Sequence, residues 1–154
     1  MKLSNPSLAL LAAALLPSIA AATPPPDASE RISICSGAYY AVMSLDFGNT
    51  GTTATVTAKA NVVSEPFSPF PPPPPYYAVY AGASHRANAS SAWTTNDQNL
   101  EGYGSYPAAA ASATKMAFRS ATCELAGNAV VSVHCPNGNW EYKTLERTWV
   151  GCGL

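Results

Sequence analysis

Charged residues and histidines are scarce in this sequence. Of its 154 residues, 11% are charged and two are histidines, and the formal net charge is -1. Typical soluble domains carry about 25% charged residues, so the composition disfavours both a helix-rich enzyme with a salt-bridged surface and a highly charged disordered chain. A net charge this small also provides no field that attracts polyanions. We therefore expect no nucleic-acid partner.

Motifs for catalysis and metal binding are missing as well. The sequence has no GxSxG, HExxH, Walker or GxGxxG motif in a fitting context. Asp27, Asp46 and Asp97 are isolated and do not follow the spacing of a calcium loop. We therefore predict no catalytic residue, no metal site and no cofactor.

The N-terminus has the pattern of a secretory signal peptide. A positively charged start precedes an apolar run over residues 8–16, which is too short to span a bilayer. Small residues at Ser18, Ala20 and Ala22 fit a cleavage site after Ala20 or Ala22. No later segment is long and apolar enough to cross a membrane. The sequence therefore predicts a signal peptide over residues 1–22, a secreted product and no membrane contact.

Alternating apolar and polar residues predict antiparallel strands in the first half of the chain. Every second residue is apolar over residues 39–47 and again over 53–63, with a turn sequence at 48–51 between them. A period of two is typical of a strand with one buried face, and threonine and valine suit a pleated surface. The side chains predicted to point inward are Tyr39, Ala41, Met43, Leu45, Phe47, Ala54, Val56, Ala58, Ala60 and Val62.

The C-terminal forty residues predict further strands. Residues 115–123 form one, with Met116 and Phe118 expected on the inward face. Asn137-Gly138 is a strong hairpin signal between residues 129–135 and 140–150. Centring the turn on this dipeptide places three pairs on an apolar face and two on a polar face. The apolar pairs are Cys135 with Trp140, Val133 with Tyr142 and Val131 with Thr144, and the polar pairs are His134 with Glu141 and Ser132 with Lys143.

The remaining segments predict few strands. Residues 66–75 are mostly proline, which lacks the N–H that a strand needs, so we interpret them as a polyproline spacer loop. The alternative is a ligand for domains that bind Pro-rich peptides. Residues 76–81 are a candidate short strand. Residues 82–114 show no sustained period and are predicted to be mostly loop, with a helical turn over 107–114.

Together these patterns predict an all-β protein. We expect a small antiparallel sandwich or barrel, stapled by disulfides and carrying long Pro-rich and polar loops. Residues 23–30 form an extended lead-in, and residues 31–154 form a single domain.

The four cysteines predict two disulfides. They are Cys35, Cys123, Cys135 and Cys152, and no CxxC pair occurs among them. This pattern favours disulfides in an oxidising compartment over a zinc or redox site. In the predicted hairpin, Cys135 lies at the turn end, whereas Cys123 and Cys152 lie at the opposite end, roughly 20 Å away. Because a disulfide needs Cα atoms within about 7 Å, we predict the pairs Cys35–Cys135 and Cys123–Cys152.

Aromatic residues are concentrated in the middle of the chain, over residues 76–106. Tyrosine and tryptophan supply contact area at low entropic cost, and loops on a rigid scaffold are common recognition sites. The alternative for Tyr80 and Trp93 is that they anchor a core otherwise made of small residues. We predict a binding surface in this region that includes Tyr80, His85, Arg86, Trp93, Tyr103 and Tyr106.

One triplet fits N-glycosylation. Asn88-Ala89-Ser90 is the only Asn-x-Ser/Thr acceptor in the chain, and it lies in a polar stretch. For a secreted protein, we predict a glycan on Asn88.

The whole profile resembles the small secreted cysteine-containing proteins of filamentous fungi, many of which are candidate effectors. The signal peptide, the four cysteines, the hairpin pattern and the lack of enzyme motifs carry this resemblance. It implies a monomeric protein that binds a host or environmental molecule, either a protein or a glycan, outside the cell. A cell-wall or carbohydrate-binding protein is the first alternative.

A small ribonuclease-like hydrolase is the second alternative. His85 and His134 are the two candidate general bases. The stretch over residues 104–107 is similar to one in small secreted fungal ribonucleases. However, Ala108 stands where those enzymes have the histidine that does the chemistry.

Overall fold

The computed structural model describes residues 23–64, 76–103 and 110–152. The predicted signal peptide and the polyproline segment lie outside these residues. Within the described part, the chain forms eight β-strands and a short 3₁₀ turn at Cys35–Gly37. The strands are β1 (Ala28–Ile34), β2 (Tyr39–Thr50), β3 (Thr53–Ser64), β4 (Tyr76–Arg86), β5 (Thr94–Tyr103), β6 (Ala111–Phe118), β7 (Glu124–His134) and β8 (Trp140–Val150).

The strands form two four-stranded antiparallel sheets. Sheet A has the order β1-β2-β3-β6, and sheet B has the order β5-β4-β7-β8. The two sheets share one continuous core. The predicted all-β fold is therefore confirmed, and of the two predicted architectures it is the sandwich rather than the closed barrel. None of the described residues lies in a helix with the length and apolarity to span a bilayer.

The inner faces carry mostly alanine, valine and leucine. Each residue predicted to point inward from β2 and β3 is buried, so the period-two pattern is confirmed. The two sheets are in close contact at Gly127. A Cβ atom there would lie 2.8 Å from Leu45 Cδ2 and 3.1 Å from Val56 Cγ2. A larger residue would fit this position only if these two buried side chains of sheet A moved.

The two ends of sheet A differ from the sequence prediction. Strand β1 begins at Ala28, and the N–H of Phe47 donates to Asp27 Oδ1 at 3.0 Å. Residues 28–30, at the end of the predicted extended lead-in, are thus part of sheet A. Asp27, just before them, is hydrogen-bonded to β2. At the opposite edge, Met116 and Phe118 are 62% and 81% exposed, so their predicted burial is wrong. Strand β6 instead turns its alanines inward, at 111, 113 and 117.

The β7–β8 hairpin contains the predicted turn but has a different register. The N–H of Cys135 donates to the carbonyl of Asn139 at 2.8 Å, which leaves a three-residue loop with Gly138 at a φ of +86°. The predicted pairing is therefore wrong by one residue on β8. The observed partners are Val133 with Glu141, Ser132 with Tyr142 and His134 with Trp140. A shift of one residue reverses the face of every side chain on a strand, so Trp140 and Tyr142 point outward.

Residues 82–114 were predicted to be mostly loop, and this is wrong. Strand β4 continues to Arg86, β5 covers Thr94–Tyr103, and β6 starts at Ala111. Strand β5 lacks a hydropathy period because its inward side chains bond to the edge of sheet A. Asn96 Nδ2 donates to the Thr114 carbonyl at 2.8 Å, and the Ser112 N–H donates to Gln98 Oε1 at 2.7 Å. Part of the predicted helical turn over 107–114 lies outside the described residues, and the rest is strand.

Two disulfides are present, Cys35–Cys135 and Cys123–Cys152, the same pairs that the hairpin argument predicts. The first joins the end of β1 in sheet A to the end of β7 in sheet B. The second joins Cys123, just before β7, to Cys152, just after β8, and so lies within sheet B. Two disulfides fit an extracellular protein.

Candidate functional site

Four ring-bearing residues lie side by side across the outer face of sheet B. Tyr76 on β4 is paired with Tyr103 on one side and with His134 on the other, and His134 is paired with Trp140. Because directly paired residues share a face, all four side chains project to the same surface. We call Tyr103, Tyr76, His134 and Trp140 the aromatic row.

The rings of the aromatic row support one another. The Tyr76 ring centroid lies 5.3 Å from that of Tyr103 and 5.6 Å from that of Trp140, and both pairs meet edge to face. His134 and Trp140 are 5.3 Å apart in the same arrangement, which is a favourable geometry for rings. Tyr103 is nevertheless 77% exposed and Trp140 is 49% exposed. The row is therefore braced by its own contacts and open to solvent.

A carboxylate is held beside the row. The Tyr76 hydroxyl donates to Glu101 Oε2 at 3.1 Å, and Asn99 Nδ2 donates to Glu101 Oε1 at 3.5 Å. The hydrogen bond from Tyr76 to Glu101, together with the negative charge of Glu101, raises the pKa of Tyr76 above its ordinary value of 10.0. The hydroxyl thus stays protonated and keeps the carboxylate in place.

The row of paired residues next to the aromatic row has small side chains at its centre. These are Ala78 and Ser132, with Glu101 at one end and the exposed Tyr142 at the other. We call these four positions the trough. The next position holds Tyr80, whose ring lies over Gly82: a Cβ on Gly82 would be 2.5 Å from the Tyr80 hydroxyl oxygen. Because Tyr80 leans toward Gly82, it leaves the trough uncovered.

Two of the predicted binding residues belong to this site. Tyr103 is in the aromatic row, and Tyr80 lies beside the trough; Tyr106 lies outside the described residues. His85, Arg86 and Trp93 are at the other end of β4. Nine positions separate Tyr76 from His85 along the strand, or roughly 30 Å at about 3.3 Å per residue. The predicted surface is therefore divided between two ends of sheet B.

The far end of β4 is tied together by an ion pair. Arg86 Nη2 and Nε donate to Glu124 Oε2 at 2.6 and 2.9 Å, and both side chains are largely buried. The guanidinium also lies 4.7 Å from the centroid of the Trp93 ring. Trp93 is 39% exposed, so it is not the core anchor that the alternative interpretation made it.

The two histidines are far apart and on different faces. His85 is in the inward register of β4 near Lys115, and burial and the Lys115 charge lower its pKa. His134 is in the aromatic row on the outer face. A ribonuclease-like pair of histidines is therefore not formed, and the stretch at 104–107 lies outside the described residues.

Glu141 is bonded to the start of the 3₁₀ turn rather than to His134. Its Oε2 accepts the Cys35 N–H at 3.2 Å. Glu141, Cys35 and Cys135 bring possible metal-ligand atoms within 4.8 Å of one another. Both sulfurs are in the disulfide, so this group has no thiolate for a metal.

Asn88 is exposed on the β4–β5 loop. Its Oδ1 accepts the Ser90 N–H at 3.0 Å, which is an Asx turn. The loop follows Arg86, at the far end from the aromatic row, so a glycan on Asn88 would leave the row uncovered. Glycosylation of Asn88 stays a prediction.

Tyr76, His134, Trp140 and Tyr142 were not among the predicted binding residues. The predicted register put Trp140 and Tyr142 on the buried face, so they were taken as core. A prediction with a three-residue loop would have placed every second residue of β8 on the outer face, namely Trp140, Tyr142, Thr144 and Glu146.

The chain was compared with family models, with curated proteins and with solved structures, and none of these comparisons found a match. A sandwich fold serves many unrelated functions. We therefore base the proposed function on the chemistry of the aromatic row and the trough.

Proposed function

We propose that the protein is an extracellular carbohydrate-binding protein and that it binds sugars at the aromatic row and the trough. The observation that supports this proposal is the registration of four rings on one open face of sheet B. This is the first alternative that the sequence left open. It also narrows the effector-like function, because a wall or surface glycan is one kind of host or environmental molecule.

The chemistry of a sugar matches this surface. A pyranose ring has an apolar face of C–H groups and a rim of hydroxyls. Tyrosine and tryptophan rings cover an apolar face while keeping a polar edge in water. Glu101 supplies an acceptor for hydroxyls, and Ser132 supplies a hydroxyl in the trough. A chain of sugars lying across the four strands would meet rings on one side and polar groups on the other.

Location outside the cell is supported by two features. The two disulfides persist in oxidising compartments, and the N-terminal sequence has the pattern of a signal peptide. We also propose that the protein is secreted and has a fungal effector-like role.

Two tryptophans at opposite ends of sheet B, one on β8 and one in the loop before β5, provide a matched experiment. Trp140 and Trp93 are similarly exposed, at 49% and 39%, but only Trp140 lies in the aromatic row. A glycan array probed with the full chain identifies a ligand, and calorimetry then compares the wild type, Trp140→Ala and Trp93→Ala. We expect Trp140→Ala to lose at least about tenfold in affinity, as for an aromatic hot spot. Trp93→Ala should bind like the wild type.

Thermal melting separates binding from folding in this experiment. An unchanged melting temperature in Trp140→Ala assigns its loss of affinity to the surface. Equal affinity of the wild type and Trp140→Ala, or loss of binding only in Trp93→Ala, would contradict the proposed site. Failure of the wild type to bind any glycan on the array would contradict the proposed function.

A further inference from the structure

We infer that the ligand of this surface is a cationic glycan, namely an oligosaccharide of glucosamine whose amino groups are free. This inference rests on the proposed function and adds the charge of the sugar to it. Three observations carry it: the carboxylates on the outer face of sheet B, the position of the basic side chains elsewhere, and the rings themselves.

Three exposed carboxylates lie on the outer face of sheet B. Glu101 is paired with Ala78 at the end of the trough. Asp97 and Glu146 lie at the two ends of the row that contains Gly82 and Asn128. Glu101 therefore lies beside the aromatic row and the trough, whereas Asp97 and Glu146 lie six residues along β5 and β8 from the row, roughly 20 Å away at about 3.3 Å per residue.

The positive side chains point elsewhere. Among the described residues, Arg86 is the only lysine or arginine in the outward register of sheet B, and it forms an ion pair with Glu124. Lys143 and Arg147 alternate with the outward residues of β8 and so project to its other face. The remaining basic residues are on the outer face of sheet A, at the β5–β6 edge or beside the β2–β3 turn: Arg31, Lys59, Lys115 and Arg119.

The rings favour the same sign of charge. The face of a tyrosine or tryptophan ring is negative and attracts a cation that lies over it. A protonated amino sugar stacked on Trp140 or Tyr103 would meet this attraction as well as that of the carboxylates. A uronic acid would be repelled by both. An N-acetylated sugar would stack without the charge.

The test compares three oligosaccharides of equal length. These are a glucosamine oligomer, its N-acetylated form and an oligogalacturonate, titrated into the full chain by calorimetry. All titrations use one pH, at which the amino groups of the glucosamine oligomer are protonated. The glucosamine oligomer should bind about fivefold or more tightly than its N-acetylated form, a difference typical of one charge pair at a surface. The oligogalacturonate should bind weakest.

The matched variants are Glu101→Gln and Asp46→Asn. Glutamine keeps an acceptor for the Tyr76 hydroxyl and removes the charge, so Glu101→Gln should weaken binding of the glucosamine oligomer more than binding of its N-acetylated form and thereby reduce the preference for the amino sugar. Asp46 pairs with Lys59 on sheet A at 3.7 Å. Asp46→Asn should therefore leave both affinities unchanged. Glu146→Gln should have a smaller effect than Glu101→Gln, because Glu146 is six residues along its strand from the row and Glu101 is two.

The outcomes distinguish this inference from the proposed function. Equal binding of the amino and acetylated oligomers, or tightest binding of the oligogalacturonate, would overturn the cationic ligand and leave a carbohydrate-binding protein. An unchanged preference in Glu101→Gln, with an unchanged melting temperature, would also overturn it. Absence of binding to any oligosaccharide here and on the glycan array would overturn the proposed function too.

Discussion

The two sheets of this sandwich have similar inner faces and different outer faces. Inside, both carry small aliphatic residues that form one core. Outside, serine and threonine are the most frequent residues on sheet A, and threonines there bond to one another, as in the 3.0 Å contact between Thr57 and Thr114. Sheet B carries the aromatic row and three carboxylates instead. Its rings are exposed, so burial in the core does not explain them.

This difference indicates where function lies. Polar β-branched residues suit a solvent-facing strand, and sheet A has several threonines on its outer face. Its outer face also carries the exposed Met116 and Phe118, at one end of its edge strand, and Tyr40, whose ring lies under the Arg31 guanidinium. They have no row of rings across the sheet. Exposed rings in register are more than a scaffold needs, which points to binding by sheet B.

The largest expected effect comes from separating the two sheets. Replacing Cys35 and Cys135 together by alanine opens a loop with a sequence separation of 100, and chain entropy predicts a loss of about 4.7 kcal/mol for that length. Replacing Cys123 and Cys152, with a separation of 29, predicts a loss of about 3.6 kcal/mol. Urea denaturation of both double variants measures the difference. An equal loss of unfolding free energy in both variants, or a larger loss without Cys123–Cys152, would contradict this prediction.

A smaller effect is expected where the inner faces touch. Gly127→Ala would drive a methyl group into Leu45 and Val56 of sheet A, and overpacking of this kind costs about 1–3 kcal/mol. Gly48→Ala is the control, because its Cβ would meet only the Thr55 hydroxyl at 3.4 Å on the outer face. That change should stay within about 0.5 kcal/mol. If both variants unfold at the same urea concentration, the contact at Gly127 has room for a methyl group and the prediction is wrong.

The smallest effect concerns pH. Burial and the Lys115 charge hold the pKa of His85 below its ordinary value of 6.5. The unfolded chain therefore binds a proton at this residue before the folded protein does, so stability falls as the pH drops below 6.5 and stops falling below the folded pKa. Denaturation across this range should show a weaker pH dependence in His85→Gln than in the wild type. Lys115→Gln should lie between them, and identical slopes in all three proteins would contradict the assignment.

Much of the scaffold could be predicted from the residues. The alternation over 39–47 and 53–63 predicted β2 and β3 with the correct inward faces, because one face of these strands is buried along most of its length. The disulfide pairs also followed, because they depended on which end of the hairpin each cysteine occupies. A register error of one residue does not change the end.

The proposed binding site could not be predicted in the same way. Strand β5 is polar on both faces, because Asn96 and Gln98 bond to the edge of sheet A instead of entering a core. Its sequence therefore had no period, and the region was taken for loop. The face of Trp140 depended on the length of one turn.

By itself, the sequence determined the all-β class, the two longest strands with their buried faces, and the pairing of the cysteines, since these depend on local alternation and on which end of a strand a residue occupies. The tertiary structure alone decided that Tyr103, Tyr76, His134 and Trp140 stand in one row. These residues come from four strands and are far apart in the chain. A single residue of register, set by the Cys135–Asn139 hydrogen bond, decides whether Trp140 joins this exposed row or points into the core.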